Sequence, residues 1–88
     1  MPKNKGLTRT AATTQAAGRV RQLMPGELVT VQTRGSWDLA TNTPLMITTI
    51  TYPPSHPAAL DARAALMRLK GVRDVEISNG YMSIVREA

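Results

Sequence analysis

Five basic side chains, Lys3, Lys5, Arg9, Arg19 and Arg21, stand in the first 24 residues without one acidic neighbour. The other six basic and all six acidic residues fall after residue 24 and cancel, so the net charge of +5 belongs to the N-terminal segment. An unneutralised basic segment on an otherwise balanced chain points to an anionic partner, with nucleic acid or a nucleoprotein complex foremost. Five phosphate contacts support salt-dependent binding without base reading. Single-strand binders also stack bases on aromatic rings, and Trp37 and Tyr81 are the two rings placed for that work. Packing is the more economical use of both, Trp37 pinning its loop to the core and Tyr81 covering a hairpin edge.

Enzymatic chemistry finds less to work with. His56 is the one histidine, flanked by Ser55 and Pro57. A general base needs an orienting carboxylate and a nucleophile, whereas a histidine before a first-turn proline suits a helix cap. Asp74 and Glu76 share a strand face beside Arg86 or Arg73 and read as solvated surface charge. Gly26, Gly35, Gly71 and Gly80 are isolated and make no phosphate loop. Cysteine is absent, which excludes a disulfide framework and a thiolate nucleophile, and one histidine alone is a poor metal set. The residues therefore predict a non-enzymatic module with no catalytic group, metal or cofactor.

The elements that position these residues must come from a small chain. Eighty-eight residues without phenylalanine make one domain with a thin aliphatic core. Such a core supplies roughly 3–5 kcal/mol, which favours completion by a protein partner or a second copy. The apolar runs are far below membrane-spanning length and no apolar block follows the basic start. The chain is thus predicted to be soluble, in the cytoplasm or, if phage-encoded, in the virion or host cytoplasm.

Residues 1–9 read as a basic flexible arm and 10–88 as a single domain. From about Thr10 to Met24, Ala12, Ala16, Val20, Leu23 and Met24 share one helical face, and Pro25-Gly26 ends the helix. Glu27–Thr33 and Leu45–Tyr52 carry strand patterns, joined through the turn-rich stretch Arg34–Pro44. A second helix is predicted from Pro57 to Lys70, with Gly71 as its stop. It carries two apolar faces: Ala58, Ala59, Ala62, Ala65, Leu66 and Leu69 on one side, Leu60, Ala64 and Met67 on the other. Val72–Ser78 and Tyr81–Arg86 bracket Asn79-Gly80, a hairpin signal of the type I′ turn. Placing Ser78 opposite Tyr81 sets Ile77 against Met82 and Val75 against Ile84.

The pattern predicts an α+β fold in α-β-β-α-β-β order. Its four-stranded, mainly antiparallel sheet carries one long helix on a face, with a short N-terminal amphipathic helix beside it. The stretch Ser55–Arg86, through Pro57, Leu66, Leu69, Gly71, Val72, Val75, Ile84 and Val85, resembles the N-terminal domain of Nfu-type iron-sulfur scaffold proteins. That resemblance implies a helix-Gly-strand-turn-strand unit. The family's separate cluster-binding domain with its paired cysteines has no counterpart here, so no cluster ligand passes to any residue. Two functions remain open. The basic segment (Lys3, Lys5, Arg9, Arg19, Arg21) contacts nucleic acid, or the chain is a phage or mobile-element accessory protein that docks on another protein through Leu60, Ala64 and Met67. The N-terminal helix is expected to cover that stripe unless a partner does.

Overall fold

The computed structural model describes residues 8–88. Lys3, Lys5 and all but the end of the basic arm lie outside the described residues. Helix α1, Arg9–Leu23, opens on Thr8, whose extended backbone lets its Oγ1 accept from the Ala11 N–H at 3.0 Å. Arg9 is therefore helical rather than part of an arm. Ala12, Ala16, Ala17 and Val20 are buried along one stripe, and Met24 closes the helix on the Val20 carbonyl before Gly26 turns at φ 70.

Strand β1, Thr30–Asp38, pairs antiparallel with β2, Thr43–Thr51. Both begin and end away from the sequence expectation, since the turn-rich stretch after Thr33 continues the strand as far as Asp38. Gly35 and Ser36 are weak strand formers, yet Gly35 pairs with Met46 and Trp37 with Pro44. The Arg9 guanidinium packs over this glycine, 3.0 Å from where a Cβ at residue 35 would stand. The connection shrinks to four residues, 39–42, with Asn42 at positive φ and Asp38 accepting from the Ala40 N–H.

Helix α2, Ala59–Met67, has nine residues and α1 has fifteen, which reverses the expected long and short helices. Tight i−3 bonds trim α2 at both ends: Ala59 donates to the His56 carbonyl, and Arg68 and Leu69 donate to Ala65 and Leu66. Strands β3, Val72–Ser78, and β4, Tyr81–Glu87, follow with Val75 opposite Ile84, Ile77 opposite Met82 and Ser78 opposite Tyr81, as the letters predict. The turn differs from type I′, for only Gly80 takes positive φ. Asn79 instead turns its Oδ1 to the Ser55 N–H, and Gly80 is held 3.1 Å from the Tyr52 carbonyl at the position a Cβ would take.

The sheet order is β1-β2-β4-β3 and every pair is antiparallel. Both helices lie on one face, α1 against β1 and β2, α2 against β3, and the two against each other. Val20, Met24, Ile50, Leu66, Val75, Met82 and Ile84 fill the core beneath them. The expected layering is corrected here: α1 lies beside α2 rather than over its outer stripe.

A chain of hydroxyls ties α1 to the sheet. Thr13 Oγ1 donates to the Arg9 carbonyl at 2.9 Å, Thr33 Oγ1 bridges to Thr13, and Thr48, fully buried, meets Thr33 at 2.9 Å. One proton per hydroxyl satisfies the whole run only if Thr48 donates to Thr33 and Thr33 to Thr13. Thr33→Val should therefore cost about 1–3 kcal/mol in urea unfolding, because it strands the Thr48 donor. Thr33→Val combined with Thr48→Val should recover most of that loss. An additive double variant would show that the hydroxyls do not act as a chain.

Candidate functional site

Strand alternation sorts the charged residues into two sides. Arg9, Arg19, Arg21, Arg63, Arg68 and Lys70 belong to the helices and their ends, and Arg86 points to the helical face beside Met46. Only Glu27 and Asp61 oppose these seven cations there. On the open face stand Arg34 and Arg73 against Asp38, Asp74, Glu76 and Glu87. Charges that cancel along the sequence after residue 24 are thus separated in space, positive over the helices and negative over the bare sheet.

Arg9, Arg19 and Arg21 are exposed, and none takes part in an ion pair among the described residues. Arg9 starts α1 over Gly35, while Arg19 and Arg21 sit about 15 Å further along the helix axis. Arg68 and Lys70 end α2 at the Arg9 end of the molecule and are likewise exposed and unpaired. The structure leaves the two aromatic platforms apart from each other. Tyr81 is on the open face, and Trp37, half exposed, holds the β1–β2 loop through its indole N–H to Asn42 Oδ1 at 3.1 Å.

Arg86, expected with Arg73 beside Asp74 and Glu76 on a solvated strand face, is instead buried on the helical face and is the most unusual cation. It is 4 % exposed, donates from Nη2 to the Lys70 carbonyl at 2.9 Å, and has no partner for Nε or Nη1. Burial lowers its pKa from the ordinary arginine value. The signal available in the sequence was its even spacing from Met82 and Ile84, which places it inward.

His56 does acquire a carboxylate. Its Nε2 lies 3.0 and 3.1 Å from the two oxygens of Glu27, and its Nδ1 accepts from the Ala58 N–H at 3.0 Å. With Nδ1 accepting, the proton of the neutral ring sits on Nε2 and points to Glu27, so both nitrogens are engaged within the fold. The pair clasps the exit of α1 to the entry of α2. A hollow of about 230 Å³ adjoins it, lined by Tyr52, Ser55, His56, Ala59, Ile77, Ser78, Asn79 and Gly80. Its Ser55 lies against Asn79, and Tyr52, its hydroxyl pKa raised by burial, donates to the Ser78 carbonyl. Among the described residues no cluster of three metal-binding side chains occurs, and no helix is long and apolar enough to cross a membrane.

The apolar stripe is in solvent: Leu60 is 74 % and Met67 39 % exposed, with Ala64 exposed between them. Comparison with protein-family models, curated proteins and solved structures gives no match.

Two outcomes check these electrostatics. Arg86→Met keeps most of the volume without the charge and should be at least as stable as the parent protein in urea; a loss above about 1 kcal/mol would mean that the guanidinium is satisfied. On the open face, Arg73 bonds Asp38 at 2.6 Å and holds its carboxyl below the ordinary 3.8. With the folded pKa depressed, the bridge stabilises fully above the unfolded value and is lost as pH falls through the folded one. Asp38→Asn should therefore be destabilised at neutral pH and converge with the parent protein in acid. Parallel stability curves across pH would refute the bridge.

Proposed function

We infer that the chain is a non-enzymatic binding module whose helical side meets a polyanion, nucleic acid or the nucleic-acid surface of a nucleoprotein complex. The observation that carries this reading is the segregation of six exposed cations, Arg9, Arg19, Arg21, Arg63, Arg68 and Lys70, over two acids on that side. Arg9, Arg19 and Arg21 supply one row of contacts and Arg68 and Lys70 a second, with the segment bearing Lys3 and Lys5 leading into the same helix. Recognition rests on phosphate charge, with the half-exposed Trp37, on the helical side of β1 two residues beyond Gly35, as the ring nearest the Arg9 cation. The sequence reading had the basic segment acting alone; the second row extends that surface to α2.

A second reading is favoured by one observation, the uncovered stripe of Leu60, Ala64 and Met67. In that reading an accessory protein of phage or mobile-element type docks on another protein through α2.

Fluorescence anisotropy with labelled DNA and RNA oligonucleotides separates the two. Five phosphate contacts make affinity fall roughly 500-fold between 50 and 200 mM salt. Arg19→Glu with Arg68→Glu should abolish binding to both nucleic acids and leave unfolding unchanged. Salt-independent binding, or binding indifferent to both substitutions, would overturn the polyanion reading. Loss of a protein complex on Met67→Glu, with the fold intact, would establish the other.

A further inference from the structure

The open face of the sheet has its own pattern. Leu45, Ile47 and Val85 form an apolar centre on β2 and β4, and Tyr81, 43 % exposed, extends it along β4. Three of its six charged residues pair with one another, Arg73 reaching both Asp38 at 2.6 Å and Glu87 at 3.2 Å. The other three, Arg34 on β1 and Asp74 and Glu76 on β3, have no ion-pair partner among the described residues. They stand on opposite outer strands, and Arg34 and Asp74 fall in one row across the sheet, Arg34–Ile47–Val85–Asp74.

We propose that two copies of this chain pack open face to open face about a two-fold axis parallel to the strands. That operation lays β1 over β3 of the second copy and keeps every row in register with itself. Arg34 then meets Asp74 of the second copy, and the reciprocal pair forms at the other edge. Gln32 donates to Glu76 in the adjoining row, while Ile47 covers Val85 beside the axis. Stacked sheets lie about 10 Å apart, a span that an arginine and an aspartate cover end to end. A two-fold perpendicular to the strands would set β1 on β1 and Arg34 near its own copy, so the charges select one orientation. The footprint is roughly 19 by 24 Å per copy from strand spacing and rise, at the small end for a specific interface, and the dimer is accordingly weak and reversible. Both cationic helical sides face outward, so the assembly is independent of what those helices contact.

Sedimentation of the full chain from about 10 µM to 1 mM tests this, the upper limit being the range where a small interface half forms. A monomer–dimer equilibrium is expected. Arg34→Glu and Asp74→Arg should each weaken it at least tenfold, and an equimolar mixture of the two variants should regain it, because both cross-copy pairs are then restored. Ile47→Glu, checked for folding by circular dichroism, should leave monomer only. A protein that stays monomeric to 1 mM, or a dimer that ignores these changes and dissolves on Met67→Glu, overturns the proposal.

Discussion

The seating of α1 on the sheet governs the rest of this molecule, and a line of hydroxyls running outward from the buried Thr48 fixes it. Alanines make the contact surface of α1, and alanine against a sheet packs with little directional preference, so a helix of this composition slides easily. Thr48, Thr33 and Thr13 remove that freedom. Each must find the next, and the run ends on the Arg9 carbonyl, so a shift of one turn would leave a buried donor unsatisfied. With α1 seated, the Arg9 guanidinium lies over Gly35, Met24 enters the core, and Glu27 reaches His56 at the head of α2.

The same seating decides what stays exposed. Two helices side by side cover one face of a four-stranded sheet, so neither lies over the outer surface of the other. The stripe of Leu60, Ala64 and Met67 and the bare sheet face are consequences of that geometry. The edge at β3 is treated differently. In a hairpin closed at Ser78 and Tyr81, the polar backbone of Val75 points to the free edge, and Arg63 Nε takes its carbonyl at 2.8 Å. Together with the irregularity between Val72 and Asp74, this blunts the edge against strand addition.

Much of this fold was legible in the letters, and the failures have physical causes. The β3–β4 register followed from alternation, because a slip by one residue would expose Val75, Ile77, Met82 and Ile84 together. Its turn did not follow: Asn79 is recruited by the Ser55 amide, a contact 24 residues away that no local rule contains. β1 was cut short at Thr33 because Gly35, Ser36 and Pro44 are turn residues by propensity, whereas a nine-residue partner and a covering arginine outweigh propensity here. Helix α2 is shorter than expected because i−3 turns take over from the apolar period at both its ends. Of the candidate residues, Arg9, Arg19 and Arg21 were visible as a run without acids. Arg68, Lys70 and Arg86 were hidden by a sum over the chain that ignores which side of a strand each charge occupies.

That last point bears on how charge in a small basic protein is read. A sum treats Glu76 and Arg68 as neutralising each other, yet one projects from the open sheet and the other from the end of α2. Interactions between exposed charges fade over about 10 Å at ordinary ionic strength, so a partner at the helical side meets Arg68 with little of Glu76. The effective charge of a surface is set by strand parity and layer, and in this chain both act in one direction. Even-numbered positions of β1 and β3 carry Arg34, Asp38, Asp74 and Glu76 outward to the open face, and the helices retain nearly all the unpaired cations. Two surfaces of opposite sign thus stand on one thin domain, which the net charge alone does not reveal.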